Sequence, residues 1–588
     1  DFTWLKPHEE KTFVQYFMPY KGVGRVKNAT KDAMINFTVE DGTANLLLYT
    51  SGCFDNLRLT VSRNGELLYE TTLNADPCEY FEDSFATDLT SADGCEVTVT
   101  TEQNEILVSY QAIKEELEPT PDPAVPLAAP EELKSTEELF LGAQHLEQYR
   151  HATYEPADYY EEGLRRDPTD IRLNNGYGLL LLKRGHFEKA KEHFEKAIEK
   201  QTWKNPNPYY GESYFNLGLA LRFLGEDEKA FDAFYKSTWS METQSGGFYQ
   251  LAALSCKKRL YSQALEFIDK SLIYNWHNMN ARTLKAAILR ALERDTKSFL
   301  AESLEIDPLS MGCLYENAKA ENDMDAWVNV MRSPSYNYLE LSLLYMKAGF
   351  YQDAADILEA SPEKTPMTFY YQGFVFTEMQ DNEKAAAAFM KAEKANPDYC
   401  FPNKAEEIVI LQRAVKVLGT APYAHYYLGL LFYDKKQYAA AAAQWETSVQ
   451  EDGTYAMPYR NLAIAYYNKE KDPAKALDVM KKALELDPRF LQEYDQLLAK
   501  NNVSVKERLS VLEQYPHLLE ERDVLYLEYI TLLNKTGQYD KALTCLKGHI
   551  FHPWEGGEGK VSGQYRYALT EKALQEMDAG NYRDAIRL

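Results

Sequence analysis

Small and large apolar residues recur along most of this chain with a period of about 34 residues. In the clearest copy, Gly218 lies on one amphipathic segment, and Ala230, Phe234 and Ser237 lie on the next, beyond a turn at Gly225. Their spacing of four and three residues is that of one helix face. Small residues let two helices cross closely, and the aromatic ring fills the space that remains. The pattern therefore predicts a repeating pair of antiparallel helices.

A triplet of small, large and small residues marks the second helix of each copy. A self-similar period of this length is that of the tetratricopeptide repeat (TPR), so the chain is predicted to be mostly α. We expect a TPR-type α-solenoid of roughly ten to twelve helix pairs, each packed only against its neighbours. Segments 279–334, 401–420 and 489–520 keep a helical pattern but depart from the repeat. The triplets are Pro156, Tyr160 and Gly163; Ala190, Phe194 and Ala197; Ala230, Phe234 and Ser237; Ala264, Ile268 and Ser271; Ala354, Leu358 and Ser361; Ala385, Phe389 and Ala392; Ala441, Trp445 and Ser448; Ala476, Met480 and Ala483; and Ala542, Leu546 and His549.

The first part of the chain lacks the helical period and alternates apolar with polar residues in short runs. Asn64-Gly65 separates two of these runs, and this pair between alternating segments is a signal for a tight hairpin. The last two runs are predicted to form a closing hairpin. Together they predict a small antiparallel β-sandwich that precedes the solenoid. The predicted strands are residues 12–17, 33–39, 44–49, 57–61, 67–69, 95–99 and 106–110.

Prolines separate the two patterns. Pro119, Pro121, Pro123, Pro126 and Pro130 lie among acidic and small residues, which predicts a stiff, extended linker. The expected organisation is a β-sandwich over residues 1–114, a linker over 115–135 and a solenoid over 136–588. The last residues open a second helix without completing it, and the first predicted strand follows almost no lead-in. We therefore expect this chain to be part of a longer protein, with the solenoid truncated at its C-terminal end.

The charge balance restricts the classes of partner. Asp and Glu total 90 against 64 Lys and Arg, a formal net charge of -26. This charge repels nucleic acid and anionic lipid, and no apolar run reaches the roughly 20 residues that span a bilayer. The seven cysteines have neither paired nor metal-type spacing. We expect reduced thiols, a cytoplasmic location, and neither nucleic acid nor membrane as a partner.

Short segments outside the repeat signature carry a resemblance to one family. They are Trp4-Leu5-Lys6-Pro7, Pro19-Tyr20-Lys21-Gly22-Val23-Gly24, Lys27-Asn28-Ala29, residues 145–154, Asn205-Pro206-Asn207-Pro208-Tyr209 and His552-Pro553-Trp554-Glu555-Gly556-Gly557-Glu558-Gly559. In these segments the chain resembles bacterial DUF5107–tetratricopeptide proteins, with residues 1–114 similar to the end of the DUF5107 region. The resemblance implies an upstream domain similar to galactose mutarotases and other sugar-binding β-supersandwiches. It also implies that any carbohydrate-related activity resides in that upstream domain.

The most unusual segment outside the repeats is the glycine-rich run at residues 549–559. His549 and His552 precede Glu555 and Glu558 at intervals of three, a set that could approach a divalent ion. A proline interrupts the helix that would place all four on one face, and no Gly-Lys-Ser/Thr sequence follows to hold a phosphate. The alternatives are a long loop anchored by Trp554, a ligand or partner contact, and a metal site. We predict no metal, and we retain His552, Trp554, Glu555 and Glu558 as candidate contacts.

Aromatic residues also recur on the first helices, at positions that would face the concave surface. Such rings stack on sugars or grip an extended peptide, and they also serve to pack helix pairs together. Residues 203–210 likewise suit either recognition or a rigid insertion. Capture of a peptide carboxylate requires several converging polar side chains, for which Asn175 and Arg222 are isolated candidates. The candidate rings are Phe215, Tyr249, Tyr370, Phe374, Tyr426, Tyr433 and Tyr467.

The sequence shows no nucleophile elbow, no helical pair of histidines flanking a glutamate, and no phosphate-binding loop. We therefore expect no catalytic residue, cofactor or metal in this chain. The leading hypothesis is a non-catalytic scaffold whose concave face binds a protein or peptide, or positions a carbohydrate-active domain. The alternative is part of a carbohydrate-processing enzyme whose sugar-binding catalytic domain lies upstream. A third hypothesis makes the sandwich a sugar-binding module that uses Trp4 and nearby tyrosines.

Overall fold

The computed structural model of the protein describes residues 11–113, 120–149 and 151–588. The chain divides into two compact units, one that ends at Leu127 and one that runs from Ala128 to Leu588. The first unit is built from strands and the second from helices. The strands are β1 (Asn28–Ala29), β2 (Ala33–Glu40), β3 (Thr43–Thr50), β4 (Phe54–Arg63), β5 (Glu66–Ala75), β6 (Phe81–Ala86), β7 (Cys95–Thr100) and β8 (Ile106–Gln111).

The strands form two antiparallel sheets, as the alternating sequence predicts. Their orders are β1-β2-β3-β6 and β5-β4-β7-β8. Along β3, Ala44, Leu46 and Leu48 are buried while the residues between them are partly exposed. This period of two places one face of each sheet against the core. The Asn64-Gly65 hairpin joins β4 to β5, and the positive φ angles of 52° and 84° suit the tight turn that this pair favours.

The structure corrects the strand prediction at two places. Residues 12–17 form no strand, and Phe13 and Phe17 are fully or almost fully exposed. Alternation alone does not make a strand, because a strand also requires a neighbouring strand with which to form a hydrogen-bonded ladder. Strands β1 and β6 were not predicted from the sequence. Strand β6 lies at a sheet edge and mixes aromatic with acidic residues, so its apolar signal is weak.

The second unit contains 28 helices within its described residues, which confirms the predicted TPR-type α-solenoid. The helices are α1 (Thr136–Gln148), α2 (Pro156–Arg166), α3 (Ile171–Lys183), α4 (Phe187–Thr202), α5 (Glu212–Phe223), α6 (Asp227–Ser237), α7 (Met241–Lys257), α8 (Tyr261–Tyr274), α9 (Met279–Ala291), α10 (Lys297–Ile306), α11 (Met311–Glu321), α12 (Met324–Met331), α13 (Ser335–Lys347), α14 (Tyr351–Ala360), α15 (Pro366–Glu378), α16 (Asn382–Lys394), α17 (Ala405–Leu418), α18 (Pro422–Asp434), α19 (Tyr438–Glu451), α20 (Ala456–Ala465), α21 (Pro473–Leu486), α22 (Leu491–Lys500), α23 (Val505–Leu512), α24 (Pro516–Glu521), α25 (Asp523–Lys535), α26 (Tyr539–Gly548), α27 (Lys560–Asp578) and α28 (Tyr582–Arg587).

The predicted triplets form the interface within each helix pair. Every member is buried except His549, which ends its helix with a side chain 18% exposed. A Cβ atom on Gly218 would lie only 2.5 Å from the ring of Phe234, so this crossing accepts no side chain on the first helix. Helices are more numerous than ten to twelve pairs would give. The degenerate segments contribute the four helices α9 to α12, the single helix α17 and the short helices α22 to α24.

Buried ionic hydrogen bonds replace the small-large-small packing in degenerate segment 279–334. Arg290 on α9 pairs with Glu316 on α11 at 2.7 Å and with Asp353 on α14 at 3.0 Å. The Tyr345 hydroxyl donates to Glu316 at 2.8 Å, and the Tyr315 hydroxyl donates to Asp353 at 3.2 Å. Because these carboxylates are buried, their full set of partners is needed to hold them there.

The helical array bends until turns distant in sequence meet, which corrects the expectation that pairs pack only against their neighbours. The side-chain amide of Gln437 donates to the Arg184 carbonyl at 2.6 Å, and Lys436 forms an ion pair with Glu155. A Cβ atom on Gly185 would lie 2.7 Å from the Ile408 side chain. The turn after α3 thus touches residues near α17 and α18, and α7 and α9 also contact α13.

Candidate functional site

Two adjoining cavities open between the first helices of the pairs, whose exposed faces we call the inner surface. The first inner cavity, about 370 Å³, is lined by residues of α5, α7, α13, α15 and α17 and by Tyr351 at the start of α14. The second inner cavity, about 480 Å³, lies chiefly among α7, α9, α11 and α13. Leu343, Lys347 and Glu406 line both. The cavities exist because the bend brings α13 and α17 opposite helices much earlier in the chain.

Arg222 on α5 places a guanidinium group in the wall of the first inner cavity. One Nη atom donates to the side-chain oxygen of Gln250 at 2.7 Å, and the other donates to the Lys347 carbonyl at 2.5 Å. Both acceptors are neutral, and within the described ranges no carboxylate forms an ion pair with Arg222. Burial lowers the pKa of Arg222, because desolvation disfavours its charge. The side chain nevertheless stays protonated, so the cavity presents a partly desolvated cation.

The other charges around this cavity have partners. Lys347 and Glu406 form an ion pair at 2.5 Å. The Glu378 carboxylate accepts from the Tyr351 hydroxyl at 3.2 Å and pairs with Arg413 at 3.3 Å. The remaining wall is largely apolar, with Leu219, Phe223, Leu343, Met346, Phe374 and Ile410. An anionic group that enters the cavity would therefore meet Arg222 as the cation without a carboxylate partner.

Two of the seven predicted inner-surface rings line these cavities. Phe374 on α15 lines the first, where the Arg413 guanidinium lies 5.5 Å from the ring centroid. Tyr249 on α7 lines the second, and burial raises the pKa of its hydroxyl to about 12. These two rings share one continuous part of the inner surface.

Two other rings are buried between helices, and their assignment to the concave surface is wrong. Tyr370 is 0% exposed because its hydroxyl donates to Glu393 at 2.6 Å and its ring meets Tyr427 edge-on. Tyr426 is 3% exposed and packs edge-on against Tyr455, with centroids 5.2 Å apart. In both cases a neighbouring helix supplies the contact that a ligand was expected to make.

The last three predicted rings are partly exposed and lie outside both cavities. Phe215 meets Phe234 edge-on at 5.6 Å, Tyr433 lies 5.6 Å from Trp445, and Tyr467 has the Lys500 ammonium over its ring at 4.3 Å. Their proposed contact with a ligand stays a prediction. Asn175 is buried and accepts from the Asn216 side chain at 3.2 Å, away from the first inner cavity.

In the glycine-rich run at residues 549–559, which we call the C-terminal loop, both histidines contact Asp523 at the start of α25. His549 lies 2.6 Å from one carboxylate oxygen of Asp523, and the backbone N–H of His552 donates to the other at 2.6 Å. Chiefly the His549 contact lowers the pKa of Asp523 from 3.8 to about 2. Because the folded-state pKa is depressed, this stabilisation is complete above pH 4 or so and is lost as the pH falls towards 2.

This anchoring shapes an open cavity of about 810 Å³ in front of α27. It is lined by His552, Trp554, Glu555 and Glu558. A Cβ atom on Gly557 would lie 2.3 Å from the Trp554 indole, so the loop and the ring fit only with glycine there. The structure thus places these four predicted residues around one cavity. Their role in binding stays a prediction.

Across residues 11–113, 120–149 and 151–588, no group of three His, Cys, Asp or Glu side chains is arranged to hold a metal ion. None of the helices that the structure describes is both long and apolar enough to cross a membrane. Trp4, the residue expected to serve a sugar-binding sandwich, lies outside the described residues.

Two families match parts of the chain. Residues 28–110, which cover the two-sheet unit, match the family described as YphG-like protein, second domain. Residues 176–238 and 410–456 match the tetratricopeptide repeat family. The protein therefore contains tetratricopeptide repeats, and its N-terminal strands are similar to a domain of YphG-like proteins.

Individual relatives cover limited parts of the sequence or are distant. An uncharacterised protein of Methanocaldococcus jannaschii is 42% identical over 59 residues, which are 10% of this chain and 62% of the relative. The chain thus spans less than two thirds of that relative. A tetratricopeptide repeat protein from Parabacteroides merdae is 18% identical with a TM-score of 0.29, over 48% of this chain and 98% of its own. The Naa15/Naa10 structure bound to HypK-THB is 15% identical with a TM-score of 0.22, over 76% of this chain and 73% of that chain.

Proposed function

We propose that this chain is a non-catalytic scaffold that binds a segment of a protein partner on the inner surface of its helical unit. The single observation that carries the proposal is Arg222, a cation in the wall of the first inner cavity whose hydrogen-bond acceptors are both neutral. Taking a charge out of water without an opposite charge is unfavourable. A carboxylate of a bound peptide would supply that charge, while its apolar side chains would contact Phe374. Tetratricopeptide repeats generally serve as protein-interaction scaffolds, which supports this assignment.

The proposal includes the finer organisation expected from the sequence. The sandwich is assigned to residues 1–114, the linker to 115–135 and the solenoid to 136–588, in a cytoplasmic protein related to the DUF5107–tetratricopeptide family. Only part of the predicted concave groove is retained. Phe374 and Tyr249 belong to the proposed site, whereas Tyr370 and Tyr426 do not.

Peptide selection tests the proposal. A random peptide library with free C-termini is selected on the protein, and the best peptide is titrated by fluorescence anisotropy. A hydrogen bond to a charged group contributes about 1.5 to 3 kcal/mol, so Arg222→Met should weaken binding by about tenfold to a hundredfold. Phe374→Ala should weaken it by about tenfold through lost apolar contact.

The matched control is Arg165→Met, which removes an exposed arginine on α2 that pairs with Glu162. Its affinity should stay within about twofold of the unaltered protein. Selected peptides that bind the Arg222→Met protein as tightly as the original would contradict the proposal. So would a selection that yields no peptide dependent on the inner surface.

A second candidate function is favoured by the C-terminal loop cavity. Trp554 offers an aromatic face, and among the described residues Glu555 and Glu558 form no ion pair, so their oxygens are free to accept sugar hydroxyls. Under this hypothesis, the chain is part of a carbohydrate-processing enzyme whose sugar-binding catalytic domain lies upstream. The matched second domain of YphG-like proteins supports a protein with a further domain. Sugar turnover by the longer protein, with and without residues 136–588, tests it, and unchanged turnover would remove the idea.

A further inference from the structure

A second exposed aromatic surface lies where two successive helix pairs meet, away from the inner cavities. We call it the tryptophan edge and define it by five residues with large solvent-exposed side chains. Isolated exposed apolar residues are common, but a contiguous group of this size marks an interaction site. The residues are Trp203 (71% exposed), Tyr209 (81%), Tyr210 (66%), Trp239 (60%) and Met241 (63%).

Hydrogen bonds hold the two parts of this edge side by side. The Ser240 hydroxyl donates to the Tyr209 carbonyl at 2.6 Å, and the Lys236 ammonium donates to the Asn207 side chain at 2.6 Å. The Gln201 side chain donates to the Tyr210 carbonyl at 2.5 Å. The loop after α4 is thereby tied to the end of α4, to α6 and to the turn after α6. A partner would meet a loop whose backbone is already ordered, which reduces the entropy lost on binding.

Lysines surround these rings although the whole chain carries a net charge of -26. The ammonium groups of Lys200 and Lys204 lie 5.2 and 4.8 Å from the Trp203 ring, and that of Lys236 lies 3.7 Å from the Trp239 ring. Throughout the described part of the chain, no carboxylate forms an ion pair with any of the three. The nearby Glu242 carboxylate accepts the backbone N–H of Gly211 at 3.0 Å. The edge therefore offers three lysines without an ion-pair partner in the described residues, which complement an acidic partner.

The rings also leave hydrogen-bond donors free. Within the described residues, the indole N–H groups of Trp203 and Trp239 and the hydroxyls of Tyr209 and Tyr210 donate no hydrogen bond. A polyproline II segment has no internal hydrogen bonds, so its carbonyl groups can accept from such donors while its prolines pack on aromatic faces. An anionic membrane would also meet the lysines, but the net charge of the chain repels an extended anionic surface.

We propose that the tryptophan edge binds an acidic, proline-rich segment of a partner protein. The aromatic rings receive the prolines, and Lys204 and Lys236 pair with the acidic side chains. This surface is separate from the proposed inner-surface site, and the two can be occupied independently.

Fluorescence anisotropy with three labelled probes tests this assignment on the full chain. The probes are peptides of equal length with repeated Asp-Pro-Pro, Lys-Pro-Pro or Asp-Gly-Ser units. The Asp-Pro-Pro probe should bind at least about tenfold more tightly than either of the others, because it alone combines charge with the extended conformation. Its affinity should fall as salt is raised, as expected for exposed charges.

Paired substitutions locate the binding surface. The double variant Trp203→Ala, Trp239→Ala should bind the Asp-Pro-Pro probe at least about tenfold more weakly than the original protein. The double variant Lys204→Glu, Lys236→Glu should bind the Lys-Pro-Pro probe in preference to the Asp-Pro-Pro probe. Tyr399→Ala, which removes a ring 93% exposed on a different inter-helix loop, is the matched control and should leave the affinity unchanged. Arg222→Met should also leave it unchanged, which separates this test from that of the inner surface. All these side chains except Lys236 and Arg222 are highly exposed, and far-UV circular dichroism checks that each variant is folded.

Several results would overturn the proposal. These are equal binding of all three probes, no saturable binding up to about 1 mM, or unchanged affinity in the tryptophan double variant. Tighter binding to vesicles of anionic phospholipid than to the Asp-Pro-Pro probe would assign the edge to a membrane surface instead. Concentration-dependent self-association that the tryptophan substitutions abolish would assign it to a second copy of the chain.

Discussion

Two arginines show how the partners of a side chain separate a structural role from a binding role. Arg290 pairs with the buried carboxylates of Glu316 and Asp353, and these contacts raise its pKa although burial opposes its charge. Arg222 donates only to neutral oxygens, and burial lowers its pKa. The two residues are of the same type and are similarly buried, so the sequence alone does not distinguish the role of Arg222 from that of Arg290. The contrast assigns Arg290 to stability and supports the proposal that Arg222 meets an anionic ligand.

Arg290→Met should destabilise the helical unit by about 3 to 5 kcal/mol, because it leaves two buried carboxylates short of a partner. Arg222→Met should cost about 1 kcal/mol or less, since only neutral acceptors lose a donor. Guanidinium unfolding followed by far-UV circular dichroism measures both. Equal losses of stability would contradict the division of roles.

The cysteines provide a second test at this scale. Cys53 and Cys78 are exposed, whereas Cys95, Cys256, Cys313 and Cys400 are buried. Burial raises the pKa of Cys256 to about 12, which keeps it protonated and unreactive. A thiol-specific reagent at about pH 8 should modify Cys53 and Cys78 rapidly and Cys256 only after unfolding. Peptide mapping by mass spectrometry identifies the modified sites, and early modification of Cys256 in folded protein would refute its placement.

At the scale of helices, the sequence was informative where packing is local. The triplets predicted the crossings because Phe234 and Gly218 belong to one pair and touch whatever the rest of the chain does. The burial of Tyr370 was not predictable, because it depends on Glu393 and on a ring of the next pair. The walls of the first inner cavity were harder still to predict from the sequence. They come from helices more than 100 residues apart that only the bend brings together.

Gly218→Ala tests the tight crossing. The added Cβ would lie 2.5 Å from a buried ring that has little room to move. Overpacking of this kind costs about 1 to 3 kcal/mol, which exceeds the gain of up to about 1 kcal/mol in helix propensity. Net destabilisation should therefore appear in chemical denaturation.

The matched control for this crossing is Gly563→Ala in α27, where an added Cβ would meet nothing within 4 Å. Its effect should be neutral or stabilising by up to about 1 kcal/mol, from helix propensity alone. If Gly218→Ala stabilises the protein as Gly563→Ala does, the crossing is looser than described.

At the scale of the helical unit, the bend creates the inner cavities. Gln437 and Lys436 contact residues of the first helix pairs, more than 250 positions earlier in the chain. These contacts lie at exposed or partly exposed turns, so each contributes modestly to stability. We expect a greater effect on geometry, because these contacts fix the turn between α18 and α19 relative to the early helices and so help to maintain the width of the first inner cavity.

Removing both contacts with Gln437→Ala and Lys436→Ala should change stability by about 1 kcal/mol or less. The same variant should weaken a peptide selected on the inner surface several-fold, because the cavity widens. Hydrogen exchange should rise at residues 184–186 and 435–437 and stay constant in the sandwich. Unaltered exchange at both turns would mean that the bend does not depend on these contacts.

A double-mutant cycle measures most directly whether Arg222 receives a carboxylate of a bound partner segment, as proposed. The selected peptide is made with its carboxylate and with that group amidated, and each form is titrated against the original and the Arg222→Met protein. We expect a coupling free energy of at least about 1.4 kcal/mol, so that amidation weakens binding about tenfold or more only when Arg222 is present. A coupling near zero, with amidation and Arg222→Met acting independently, would contradict it.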